Sequence, residues 1–168
     1  MKQDNKLALA ILEQGMTIES EGRQFYLKAA ETTANKEGRE MFDTLANDEQ
    51  KHYNIIKRQY GALFSEGKWI KSTDIKPINL NLEKPLFPKG RIALEKTIAI
   101  KFSEKDALLF GLDIEMKSHE LYRNAALKTG DPLGKQMFEF LTGQEQTHFD
   151  LLMMRYDLLF GPISWSNY

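Results

Sequence analysis

The sequence predicts an all-α protein: a four-helix bundle made of two duplicated antiparallel helix pairs with a long crossover connection between them. Three observations carry that prediction. First, the chain is written twice. Sliding it by 96 positions sets IESEGRQFYLKAA (18–30) on IEMKSHELYRNAA (114–126) and MFDTLANDEQKHYNII (41–56) on MFEFLTGQEQTHFDLL (137–152), and 17 of the 50 positions from 15 to 64 match their counterparts. Second, apolar residues in both copies recur at three-and-four spacing, the period of a helix with one buried face. Third, the copies are separated by SEGKWIKSTDIKPINLNLEKPLFPKG (65–90), which holds three of the five Pro and almost no helical period.

Each element has its own warrant. The first helix, near 4–33, carries the stripe Leu12, Met16, Glu19, Tyr26 and Ala30. Asn35 is a cap for the second, near 36–65, whose stripe is Phe42, Leu45, Glu49, His52, Ile56 and Leu63. A short turn between them makes the pair antiparallel. The excursion from 66 to 103 is too long for a turn and implies a crossover, with Trp69, Ile70, Leu86 and Phe87 pinning it to the bundle and RIALEKTIAIK (91–101) adding a short helix. Ser103 with Asp106 opens the third helix, near 104–129, in a capping-box pattern; its stripe is Leu108, Leu112, Glu115, Tyr122 and Ala126. Gly130 stops that helix, and Asp131-Pro132 starts the fourth, near 132–160, with the stripe Phe138, Leu141, Glu145, His148, Leu152 and Leu159. Gly161-Pro162 ends it, and a short tail occupies 161–168. All 168 residues read as one domain.

Composition removes several function classes. With 23 basic and 24 acidic residues the net charge is −1, and no basic block marks a nucleic-acid or membrane partner. No apolar run approaches the roughly 18 residues of a membrane span, and MKQDNKLALAIL is too polar for a signal peptide, so the expected location is cytoplasmic. The absence of Cys excludes disulfides, thiol catalysis and thiolate-held metals. Any metal must be held by His and carboxylates. No phosphate-cradling Gly-rich loop and no Gly-x-Ser-x-Gly elbow is present.

The acidic residues in the stripes are the strongest signal. Glu19, Glu49, Glu115 and Glu145 stand where the helical period calls for apolar side chains, and burying an ionised carboxylate costs several kcal/mol. Arg23 alone cannot balance four negative charges; two divalent cations can. Glu49 with His52, and Glu145 with His148, sit three apart on one helical face, so each pair can grip a metal. Glu19 and Glu115 add one carboxylate from each of the other helices. Four Glu and two His in pseudo-twofold array is the ligand set of carboxylate-bridged dinuclear sites in four-helix bundles. Glu fills 15 of 168 positions, so a Glu three residues before a given His is about a one-in-eleven coincidence; two of the three His show it, at matched repeat positions. Ordinary surface pairs would not fall in an apolar stripe. Tyr26 and Tyr122, two turns past Glu19 and Glu115, can donate to ligand carboxylates or simply fill the core. Asp48 can accept the spare ring proton of a His. His119 reads as a solvent-edge residue, and the seven Met as gap-fillers between helices.

IESEGRQFYLKAA, LANDEQKH, IEMKSHELYRNAA and LTGQEQTH, in that order, resemble the ferritin-like di-iron carboxylate proteins, specifically the rubrerythrin-like branch. The resemblance covers nearly the whole chain. It implies a ferritin-like bundle, two iron ions, the six metal ligands Glu19, Glu49, His52, Glu115, Glu145 and His148, and chemistry with hydrogen peroxide or dioxygen. The donor set itself also suits manganese or zinc. Two departures stand out. Rubrerythrins proper carry a Cys-rich rubredoxin domain that feeds electrons to the di-iron site; without Cys, this chain needs an external electron donor protein. They also place an extra Glu one turn after the third-helix ligand, where this chain has Ser118, closer to the bacterioferritin-like pattern.

The expected function is therefore oxidation of a ferrous pair by peroxide or dioxygen, in a peroxide-detoxifying oxidoreductase. The alternative is a ferroxidase or iron-storage subunit, and the remaining reading a metal-stabilised interaction module without catalysis. A homodimer is the expected assembly, and the long excursion would permit helix exchange between protomers.

Overall fold

The computed structural model describes residues 3–71 and 103–163. Four helices account for nearly all of them: α1 (Gln3–Thr32), α2 (Lys36–Glu66), α3 (Glu104–Lys128) and α4 (Pro132–Phe160). Their starts follow the capping chemistry. Asn35 accepts the Gly38 amide at 3.0 Å. Ser103 and Asp106 form a reciprocal capping box, and Asp131 accepts the Leu133 and Gly134 amides ahead of a first-turn Pro132. α2 ends on Gly67 in the left-handed region (φ 67°), whose amide returns to the Leu63 carbonyl. α3 departs from expectation here. It ends on Thr129 in an extended conformation, and Gly130 has no positive φ, so its stop is not a glycine cap.

α1 packs on α2 and α3 on α4 most closely, each pair closed by a short turn, and α1 also packs on α3. Gly15 meets Tyr122 while Gly111 meets Tyr26, so α1 and α3 run antiparallel. α2 and α3 therefore run the same way, and the chain from Gly67 to Ser103 must travel the bundle's length, roughly 45 Å for a helix of about 31 residues. This is the ferritin-like arrangement rather than a simple up-down bundle. The course of that connection, with the expected helix at 91–101 and the contacts of Leu86 and Phe87, lies outside the described residues, as does the tail from 164.

Two apolar clusters fill the interior. One holds Leu12, Met16, Ile56, Tyr122, Phe138 and Leu141; the other holds their repeat counterparts Leu108, Leu112, Leu152, Tyr26, Phe42 and Leu45. Full burial of each such side chain contributes roughly 1.5–3 kcal/mol. The ends of the bundle differ. After α2, Gln59 holds residue 70 at both backbone groups, Nε2 to the Ile70 carbonyl at 2.6 Å and Oε1 from its amide at 3.1 Å. This seats Trp69 against Phe138, ring centroids 5.7 Å apart, in the cluster that buries Leu63. At the opposite end the counterpart of Gln59 is Arg155, which turns to Glu104, Glu37 and Asn35 instead. The counterpart of Trp69 at the repeat offset is Trp165, which lies outside the described residues. Expected in the buried stripe, Leu159 is 40% exposed, and Tyr156 takes the inward place.

Candidate metal centre

The polar residues meet where the two apolar clusters join. Glu19 (α1), Glu49 and His52 (α2), Glu115 (α3), and Glu145 and His148 (α4) are each at most 4% exposed. His52 Nδ1 stands 3.1 Å from Glu145 Oε1 and 3.4 Å from Glu19 Oε2. His148 Nδ1 stands 3.4 Å from Glu49 Oε1 and 3.5 Å from Glu115 Oε2. The imidazole rings stack at 5.3 Å. Each His thus lies nearest to carboxylates of other helices rather than to the Glu one turn before it. The helical stripe brings all six side chains inward, and the crossing of four helices chooses their neighbours.

Each of the six leaves one buried atom without a hydrogen-bond partner: Glu19 Oε2, Glu49 Oε1, His52 Nδ1, Glu115 Oε2, Glu145 Oε1 and His148 Nδ1. Unpartnered buried polar atoms are rare because each costs about 1–3 kcal/mol, so six facing one another call for a shared partner. The donor atoms fall into groups whose members lie within 4.8 Å of one another: Glu19, His52 and Glu145; Glu49, Glu115, Glu145 and His148; and Glu49 with both His. Glu145 belongs to the first two. Hard carboxylates with imidazoles fit divalent first-row cations, and the number of atoms suffices for two.

Electrostatics agree. Without a cation the burden falls on protons. Burial, followed by the charge of Glu19, pushes the Glu49 carboxyl well above its usual range and Glu145 up to about 8. Burial would lower His52, but the carboxylates of Glu145 and Glu19 beside it raise it to about 10. His148 is raised likewise, by Glu115 and Glu145 against its burial. Glu19 is lowered: burial raises it, and Glu49, His52 and Tyr122 beside it more than offset that.

The outer atoms of these carboxylates are held by hydroxyls that cross the pseudo-twofold axis. Tyr26, from the first repeat, donates to Glu115 Oε1 in the second; Tyr122 donates to Glu19 Oε1 in the first. Each ring lies over a glycine of the opposite helix. A side-chain carbon at Gly15 would stand 3.1 Å from the Tyr122 hydroxyl, and one at Gly111 3.3 Å from the Tyr26 ring. Ser118 is buried and donates to Glu145 Oε2. Asp48 sits 3.6 Å from His148 Nε2, longer than a hydrogen bond, while its other oxygen takes Lys51 at 2.6 Å. His119 is half-buried and outside the cluster, and Arg23 pairs with none of the four carboxylates among the described residues. A cleft of about 630 Å³ beside Ala8, Trp69 and Asp131 lies at one end of the bundle, away from this chemistry.

Comparison with protein families gives a match to the Rubrerythrin model over residues 10–156. The chain belongs to the rubrerythrin family. Neither curated proteins nor solved structures give a match. The rubrerythrin match spans all four helices and every residue of the cluster, so the family assignment and the polar centre rest on the same stretch of chain. Rubrerythrins usually bind iron, and this cluster offers carboxylate and imidazole donors to such a metal. Sequence reasoning missed the roles of Gly15, Gly111 and Ser118. The two glycines carried a signal, since they match at the repeat offset of 96. Ser118 was marked only by the resemblance, as the residue standing where rubrerythrins place an extra Glu, and the repeat gave no further signal because its counterpart is Gly22.

Proposed function

We propose that this chain is a non-haem di-iron oxidoreductase that reduces hydrogen peroxide with electrons from a separate donor protein. The observation that carries the reading is the set of six unpartnered buried atoms, two from imidazoles and four from carboxylates, supplied by all four helices. Glu19, His52 and Glu145 would hold one iron; Glu49, Glu115, Glu145 and His148 would hold its neighbour. When bound, two ferrous ions supply one electron each, and with two protons these reduce one hydrogen peroxide to two waters. The protein's own part is positioning. Tyr26 and Tyr122 fix one oxygen of Glu115 and of Glu19 and leave the other facing the centre. Glu49 and Glu145 release the protons that burial keeps on them as cations enter.

The chain has no Cys, so no thiolate-held iron lies within these 168 residues, which supports an external donor. No helix among the described residues is long and apolar enough to cross a membrane. A cytoplasmic location belongs to the proposal, as does a homodimer. Phe140, Leu151, Met154 and Leu158 project from one outward line of α4 and are 36–74% exposed, which favours a second copy there.

Anaerobic ferrous titration, followed by one equivalent of hydrogen peroxide or of dioxygen, tests the reading. We expect saturation at about two irons per chain and faster oxidation by peroxide. Faster reaction with dioxygen, with iron accumulating beyond the pair, would make the chain an iron-handling ferroxidase instead. Binding that survives Glu49→Ala and Glu145→Ala unchanged would remove the dinuclear centre.

A further inference from the structure

The repeat offset pairs Gly22 with Ser118, and Glu49 with Glu145. At these positions the two halves of the centre part company. Ser118, 1% exposed, donates its hydroxyl to Glu145 Oε2 and so ties that carboxylate to α3. Gly22 offers Glu49 nothing. A glycine in mid-helix costs stability, so its presence asks for a reason. Close packing is not the reason. A side-chain carbon at Gly22 would stand 3.5 Å from Glu49 Cδ and 3.6 Å from Oε2, ordinary contact distances, whereas Gly15 and Gly111 face neighbours at 3.1–3.3 Å. Backbone conformation is not the reason either, since positive φ occurs only at Gly67 and Gly161 among the described residues. What Gly22 does is leave room beside Glu49 and withhold the donor that its counterpart receives.

We infer that Glu49 is the carboxylate that yields to a small incoming anion, and that Gly22 marks the side of the centre at which that anion enters. This rests on the dinuclear reading above. Ser118 is then a positioning residue: it keeps Glu145 still while Glu49 moves. The ligand class is a two- or three-atom anion such as hydroperoxide, for which azide is a non-reacting probe. The geometry also makes the asymmetry portable. A serine at position 22 would put its hydroxyl within reach of Glu49, copying the Ser118–Glu145 contact.

The test loads the full chain with cobalt(II), counts metal per chain, and titrates azide while following the cobalt visible spectrum. Four proteins are compared: wild type, Gly22→Ala, Gly22→Ser and Ser118→Gly. Far-UV circular dichroism verifies equal helix content. We expect two cobalt ions per chain in all four. We expect azide to bind Gly22→Ser about tenfold more weakly than wild type, the effect of one hydrogen bond to a charged group. Gly22→Ala, which fills the room without adding a donor, should show a smaller loss, and Ser118→Gly should bind azide at least as tightly as wild type. Unchanged azide affinity in Gly22→Ser with two cobalt ions bound would overturn this inference alone. So would a loss in Ser118→Gly equal to that in Gly22→Ser, because the two sides would then be equivalent. Failure of the wild type to bind two cobalt ions would overturn the dinuclear reading, and this inference with it.

Discussion

At the scale of single residues, the centre is an account of charge. Four carboxylates and two imidazoles share one buried space, and with no cation present protons must neutralise them. Glu145, raised to about 8, contributes stability that is complete below its ordinary 4.5 and is lost as pH climbs through 8. His52, raised to about 10, contributes stability that is complete below 6.5 and is lost as pH climbs through 10. Glu19, lowered, acts in the opposite sense only at the acid end, below its ordinary 4.5. The folded state therefore holds more protons than the unfolded chain between about pH 5 and 9, and the metal-free protein should melt at progressively lower temperature across that range. Thermal melts in chelator at three pH values check this, and a melting point that climbs with pH would contradict it. Metal affinity should run the other way, rising with pH as fewer protons need displacing.

At the scale of helices, the two repeats end differently. Arg155 ties the starts of α2 and α3 to α4 through Glu104 at 2.8 Å, Glu37 at 3.2 Å and the cap residue Asn35 at 2.8 Å. Glu37 is largely exposed and adds little, whereas Glu104 is only 19% exposed. Arg155→Gln, which installs the counterpart residue Gln59, should cost about 2 kcal/mol by leaving Glu104 without its guanidinium. Urea unfolding would measure it, and a change under about 0.5 kcal/mol would mean that the network is ornamental. Much at this scale was legible in the sequence. Periodicity and capping chemistry placed all four helices within a residue or so, and the misplaced Glu residues announced that six side chains converge. The partners were not legible. A stripe tells which face of a helix a residue occupies, not which neighbouring helix it meets, so the crossing of Tyr122 to Glu19 and of His52 to Glu145 had no signal in one strand of text. Leu159, expected in the buried stripe, is 40% exposed, and Trp165, which stands at the repeat offset from Trp69, lies outside the described residues.

At the scale of the molecule, the proposed cation sites and the fold are one system, because the six residues of the cluster come from all four helices. Metal that binds the folded chain alone adds RT ln(1 + [L]/Kd) to its stability, about 2.7 kcal/mol at a hundredfold excess over Kd. For a chain of this size that should raise the melting temperature by about 5–10 °C. Calorimetry with and without ferrous or cobalt(II) ion checks it, and Glu145→Ala should abolish the increment. The pseudo-twofold axis has a further consequence, one of descent. Gly15 and Tyr26 in one half find Tyr122 and Gly111 in the other, so the surface joining the halves is complementary to itself. An ancestor of half this length, carrying one helix pair, would have needed only to meet its own copy to form both halves of the cluster. In such a pair every position is bound to be the same on both sides. Fusion into one chain would remove that constraint, and the differences between 22 and 118 and between 59 and 155 are of the kind such freedom allows.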